Sequence, residues 1–148
     1  MIVMDPQPIR VLIVEDTADD ERLARRALGK LAIRVEVVVA RDGAEALELF
    51  ENDPHLSQFR LVLLDLKLPK VSGLEVLQAI RKIEIAANLP VVILTSSDER
   101  RDVAACYESQ CNAYVRKAVD YSEYMETMRK TLEFWLLVNL CPPPVGAA

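Results

Sequence analysis

Four apolar runs in this chain end in residues that can do chemistry. Ile9-Arg10-Val11-Leu12-Ile13-Val14 runs into Glu15-Asp16, and Leu61-Val62-Leu63-Leu64 into Asp65. Val91-Val92-Ile93-Leu94 runs into Thr95-Ser96-Ser97-Asp98, and Ala113-Tyr114-Val115 into Arg116-Lys117. If these ends meet, three carboxylates repel one another and are costly to keep ionised together. A hard divalent cation resolves the conflict. Mg²⁺ takes oxygen ligands, keeps several waters, and is commonly held by one or two carboxylates plus a phosphate. Lys117 adds a mobile point charge for an anion, and Thr95 a neutral hydroxyl donor. A carboxylate beside a metal, a cation and a hydroxyl suits phosphoryl transfer. Asp65 is then the nucleophile, forming an aspartyl phosphate. The metal and Lys117 offset charge on the phosphoryl oxygens.

The elements must bring those strand ends to one edge. Leu61 to Leu64 is short, aliphatic and unbroken, so it reads as a strand buried on both faces. Pro69 closes off regular structure, and Ser72-Gly73-Leu74-Glu75 opens a helix as a capping box. Asp65 therefore sits where a buried strand meets a loop, at the carboxyl end where open parallel sheets bind ligands. Residues 1–8 form a Pro-containing arm, and Ile9 to Val14 is the first strand. A helix from Ala18 to Gly29 follows, with Thr17 as N-cap and Asp20 at N3, and Leu23, Ala24, Ala27 and Leu28 on one face. Arg34 to Val39 is a second strand, and Asp42-Gly43-Ala44-Glu45 caps a helix that Asn52-Asp53-Pro54-His55 breaks. Leu74, Val76, Leu77, Ile80 and Ile83 stripe the third helix, which Asn88-Leu89-Pro90 stops. A helix from about Glu99 to Gln110 follows the fourth strand. Asp120-Tyr121-Ser122-Glu123 caps the last, which runs to about Asn139 or Leu140 before Cys141-Pro142-Pro143-Pro144. Strands and helices alternate five times with short connections. That pattern predicts an α/β fold, a doubly wound parallel sheet with helices on both faces, as one domain over residues 9–148.

Composition narrows the function classes. The 148 residues carry a net charge of −5, which argues against nucleic acid as the main partner. No apolar window is long enough to span a membrane, and the start lacks a basic, apolar signal peptide. Cys106, Cys111 and Cys141 are odd in number and lack metal-ligand spacing, which predicts reduced thiols in a cytoplasmic protein. His55 is the only histidine, so a catalytic triad, a histidine-rich metal site or a phosphohistidine carrier is not expected, and His55 itself reads as a loop residue.

The order of these motifs resembles the receiver domain of bacterial two-component response regulators, from about Ile9 through Asn139. The resemblance rests on Glu15-Asp16, on Asp65 within Leu-Leu-Asp-Leu-Lys-Leu-Pro-Lys-Val-Ser-Gly, on Leu94-Thr95-Ser96 and on Tyr114-Val115-Arg116-Lys117. It implies a flavodoxin-like (βα)5 fold with strand order 2-1-3-4-5. It implies that Asp65 accepts phosphate from a sensor histidine kinase, with Mg²⁺ on the Asp16 and Asp65 side chains and the Lys67 backbone carbonyl, and Glu15 acting through water. Thr95 would close on the phosphoryl group and Tyr114 would change rotamer with it. The fourth helix, fifth strand and fifth helix would then change surface. The stretch from Val119 to Pro143 is similar to the small single-domain regulators that partner cyanobacterial-type phytochromes, in which an extended last helix mediates homodimerisation. Most receivers have proline after the lysine, in a cis peptide; here Ala118 stands there, and the non-proline cost of a cis bond predicts a trans peptide.

Several plainer roles stand beside these. Glu15-Asp16 also serves as an acidic turn capping the first helix, Thr95 could be a loop hydroxyl, and Tyr114 a packed aromatic. Lys67 either overhangs the phosphoryl site, tuning with Ser97 how fast water reaches an aspartyl phosphate, or is an exposed loop lysine. On the last helix Tyr121, Tyr124, Met125, Met128, Leu132 and Trp135 should face the core. Phe134, Leu137, Val138 and Cys141 lie off that stripe, and an all-round apolar helix marks an association surface, here of a symmetric dimer. A flavin or nucleotide site would need small residues where Glu15-Asp16 stands. A haloacid-dehalogenase-type phosphatase would need a second acid at Lys67. A degenerate receiver, acting only as a phosphorylation-independent binding module, is the remaining alternative. Without an output domain, the output is a contact with a downstream protein or a relay to another phosphocarrier.

Overall fold

The computed structural model describes residues 8–143; most of the arm, and the chain after Pro143, lie outside the described residues. The unbroken apolar runs become strands buried on both faces. In chain order the elements are β1 (Ile9–Val14), α1 (Ala18–Gly29), β2 (Val35–Ala40), α2 (Gly43–Asn52), β3 (Phe59–Leu64), α3 (Gly73–Lys82), β4 (Val91–Thr95), α4 (Arg100–Glu108), β5 (Ala113–Arg116) and α5 (Tyr121–Glu133). A π-helical turn, Phe134–Val138, continues α5. All strand pairings are parallel, and the order is β2-β1-β3-β4-β5. This is the flavodoxin-like topology expected from the sequence.

Alternation along each strand divides the core in two. Leu12, Val14, Val62, Leu64, Val91 and Ile93 pack on the side of α2 and α3, with Ala46, Phe50, Val76, Leu77 and Ile80. Val11, Ile13, Leu61, Leu63, Val92 and Leu94 face α1 and α5, with Ala24, Ala27, Leu28, Met128 and Leu132. The register then sets the functional edge. Val14 lies beside Leu64, and Leu64 beside Ile93. The ladder extends one step past the strands: Glu15 N–H donates to the Ala40 carbonyl at 3.0 Å, Asp65 N–H to Val14 at 3.1 Å, and Lys117 N–H to Thr95 at 2.7 Å.

Local expectations hold with a few corrections. Asp42, Ser72 and Asp120 cap α2, α3 and α5, each side chain accepting from the N–H three residues on. Thr17 is the N-cap of α1 by position, but its side chain makes no cap bond; its N–H is instead taken by Glu15 Oε1 at 3.1 Å. The fourth helix is shorter than expected, because Ser109 leaves helical geometry and Gln110 turns left-handed at φ 70°. The last helix changes pitch at Phe134, where Asn139 N–H reaches back to the Phe134 carbonyl. That extra residue in the turn resets the helical phase. Leu136 is buried in the stripe, while Trp135 is only partly packed and Tyr121 is 46% exposed.

Candidate functional site

Lys117 is the hub of the carboxyl edge. Its Nζ lies 2.6 Å from Glu15 Oε2, 2.9 Å from Asp20 Oδ2 and 3.1 Å from Asp65 Oδ2. The Lys117, Glu15 and Asp65 side chains are nearly out of solvent, whereas Asp16 is exposed at the rim. Ligand oxygens of Glu15, Asp16 and Asp65 all lie within 4.8 Å of one another. Three carboxylates, Glu15, Asp20 and Asp65, thus share one ammonium group, with Asp16 beside them. An all-oxygen donor set with surplus negative charge fits a hard divalent cation.

The electrostatics follow from that crowding. Burial pushes the Glu15 carboxyl up, the bond from Lys117 pulls it down, and the nearby Asp65 charge adds to the rise, leaving it above the ordinary value. Burial would depress Lys117, but its bonds to Glu15 and Asp20 and the charge of Asp65 outweigh this, so the ammonium is held charged. The lysine is firmly seated although Ala118 follows it, and no cis peptide occurs among the described residues.

The loop carrying Asp65 is shaped by close backbone approach. Lys67 N–H points at Asp65 Oδ1 at 3.3 Å, and the Lys67 residue is exposed. Gly73 N–H donates to the Leu66 carbonyl at 2.9 Å. A Cβ on Gly73 would stand 2.0 Å from the Asp65 carbonyl oxygen, so a side chain there would displace the very loop that presents the carboxylate. Thr95 is fully buried, and its Oγ1 accepts from Ser97 N–H at 3.4 Å. Tyr114 O–H donates to the Ser97 carbonyl at 2.8 Å, and Ser97 Oγ donates to Asp102 at 2.6 Å. Thr95 and Tyr114 are therefore joined through one residue, Ser97.

The sequence reading missed Asp20. It was assigned only to the first turn of α1, yet it lies four and seven residues before Ala24 and Ala27, on the buried stripe, and that spacing was the available signal. The expected association residues lie elsewhere. Phe134, Leu137 and Val138 are 47%, 49% and 67% exposed, and Leu140 is 92% exposed. Cys141 follows the helix, as expected, is half-buried, and its Sγ sits 3.9 Å from the Arg60 carbonyl of β3. No helix among the described residues is long and apolar enough to cross a membrane.

A five-stranded parallel 2-1-3-4-5 sheet with a lysine-bridged acid cluster at its carboxyl edge is the flavodoxin-like arrangement of a CheY-like domain. The sequence profile of the response regulator receiver domain matches residues 11–129, and the chain belongs to that family. It is 36% identical over 140 residues to the probable methanogenesis regulatory protein FilR2 of Methanothrix harundinacea, covering 93% of this chain and 90% of that one. It is 36% identical over 135 residues to response regulator Rcp1 of Synechocystis, covering 87% and 90%. The crystal structure of the phosphorylated cyanobacterial phytochrome response regulator RcpA matches with a TM-score of 0.87 at 33% identity, over 92% of this chain and 99% of that one. The Mn²⁺-bound form of Rcp1 matches at 0.84, also at 33% identity, over 91% and 99%. Receiver domains bind Mg²⁺ at an acidic pocket, and the Glu15, Asp16 and Asp65 cluster fits a divalent metal there.

Proposed function

We propose that residues 9–148 act as a stand-alone response regulator whose Asp65 accepts a phosphoryl group from a sensor histidine kinase, in the cytoplasm. The observation that carries this is the Lys117 ammonium bridging Glu15, Asp20 and Asp65. A cation already shared among carboxylates can be handed to an incoming anion without moving the backbone. An Asp65 carboxylate oxygen attacks phosphorus, the P–N bond of the kinase phosphohistidine breaks, and the electron pair stays on the imidazole, which takes a proton. Asp16, Asp65 and the Lys67 carbonyl, with Glu15 acting through water, would hold Mg²⁺, whose charge would offset that of the phosphoryl oxygens. Lys117 leaves its carboxylates for one phosphoryl oxygen and the Thr95 hydroxyl donates to another. The linkage through Ser97 carries the Thr95 movement to Tyr114 and so to the α4–β5–α5 surface.

The likeness to RcpA and Rcp1 supports a phytochrome as the kinase. The exposed Phe134, Leu137, Val138 and Leu140 support a homodimer through the end of the last helix, with Cys141 outside that patch. The output is then a contact with a downstream protein or phosphocarrier. Lys67 and Ser97 set water access to the aspartyl phosphate; Lys67→Ala changes the dephosphorylation rate if so, and an unchanged rate removes that role. The reading as a whole is tested by titrating Mg²⁺ and then beryllofluoride into isotope-labelled protein. The amides around Asp65 shift with Mg²⁺ alone, and those of Thr95 and Tyr114 shift only when both are present. Shifts confined to residues outside the carboxyl edge would remove the proposed site.

A further inference from the structure

Tyr124 is 4% exposed, and its hydroxyl has no hydrogen-bond partner among the described residues. It is the polar residue of the α5 stripe that otherwise consists of Met128 and Leu132. Its side chain borders a cavity of about 10 Å³ directly beneath the acid cluster, walled by Ile13 and Leu63 and bounded by Glu15, Asp20 and Asp65. A space of that size holds about one water, provided two to four polar groups face it. Tyr124, Glu15, Asp20 and Asp65 are the polar residues that line that space. Leaving a buried hydroxyl unpaired is unfavourable, whereas a bridging water is nearly as good as a direct bond.

We propose that Tyr124 is a positioning residue of the acceptor site, its hydroxyl donating through one enclosed water to the Asp20 and Glu15 carboxylates. This rests on the receiver reading above. In the resting protein Lys117 holds both carboxylates in place. When Lys117 turns to the phosphoryl group they lose that donor, and the tyrosine–water bridge keeps them oriented. The hydroxyl is thereby a built-in substitute for the departing ammonium. Burial raises the Tyr124 hydroxyl above its ordinary value, and the Asp20 charge adds to the rise, so it stays protonated as a donor.

Tyr124→Phe removes the hydroxyl and keeps the ring. With saturating Mg²⁺ and acetyl phosphate, its phosphorylation rate is expected to fall about three- to tenfold, the worth of one hydrogen bond, with an unchanged or higher melting temperature. The drop shrinks in an Asp20→Ala background, because the bridge then lacks one of its two acceptors. A rate within twofold of wild type, or a drop of equal size in the Asp20→Ala background, overturns the proposal. A high-resolution crystal structure of the unphosphorylated wild type tests the bridge apart from any phosphorylation. Ordered water within hydrogen-bond distance of both the Tyr124 hydroxyl and Asp20 is expected; a dry cavity overturns the proposal even if Asp65 is phosphorylated. If wild type takes no phosphate while the water is present, the receiver reading fails and the bridge stands as a structural feature.

Discussion

Each end of the sheet holds one nearly buried cation, and the two are built to opposite purposes. At the amino edge, Arg10 forms a bidentate pair with Asp53 at 3.0 Å on each oxygen, donates to the His55 carbonyl at 3.0 Å, and stacks 4.4 Å from the Phe59 ring centroid. The planar guanidinium is matched to fixed partners, and Asp53 is nearly neutralised by it. At the carboxyl edge, Lys117 is a single ammonium divided among Glu15, Asp20 and Asp65. It can turn to a new anion, and the carboxylates it leaves can take a metal. One edge is a staple and the other a site, and the difference lies in geometry: a planar fork is locked on one carboxylate, whereas a point charge shared among three can be redirected.

Substitutions should separate the two. Arg10→Ala leaves Asp53 only the His55 N–H as partner and is expected to cost about 1.5–3 kcal/mol of stability, measured by urea unfolding, with phosphorylation by acetyl phosphate within twofold of wild type. Lys117→Ala should do the reverse. Loss of the charge that meets the phosphoryl group is expected to slow phosphorylation about a hundredfold or more. Added Mg²⁺ should raise its melting temperature, since metal replaces the missing cation among the carboxylates. Equal losses of stability and rate in both variants would erase the distinction.

The two edges also titrate in opposite senses. The Asp53 carboxyl is held below its ordinary value, first by its hydrogen bonds from Arg10. The unfolded chain therefore binds more protons there. The stabilisation from Asp53 is present above the ordinary carboxylate range and lost as pH falls through the lowered value. Burial raises Glu15, so its contribution is present at low pH and lost as pH rises through the raised value. Melting temperatures should show Asp53→Asn least stable relative to wild type near neutral pH, with the gap closing toward pH ~3. A gap that stays constant with pH would mean that the staple is not ionic.

The smallest effect on stability is expected at the end of the last helix. Leu137→Arg alters an exposed residue and should leave unfolding within about 0.5 kcal/mol of wild type. Light scattering should nonetheless report a dimer for the wild type and a monomer for the variant. A monomeric wild type at micromolar concentration would remove the dimer.

The strand ends were legible because a buried strand cannot hide where it stops. Val14, Leu64 and Leu94 are each followed by the first residue able to meet water or a ligand, and parallel pairing puts those residues on one edge. Asp20 and Tyr124 were legible only in part. Both sit on helical stripes otherwise apolar, where a polar residue marks a neighbour that accepts it, but the neighbour belongs to another element and is fixed only by packing. Thr17 shows the limit of cap rules: the N3 residue Asp20, which a capping box would turn back to the Thr17 N–H, is drawn to Lys117, and Glu15 takes that N–H. The π turn at Phe134 carries no local signal, because phase is set by which side chain, Leu136 or Trp135, fills the space beside β3.

The most direct test of the site is an intact mass of the wild type and Asp65→Asn after incubation with acetyl phosphate, with and without Mg²⁺. One phosphate adduct in the wild type, dependent on Mg²⁺ and lost in the variant, is the predicted result. An adduct that survives in Asp65→Asn, or none in the wild type with Mg²⁺ present, would contradict the assignment of Asp65 as phosphoacceptor.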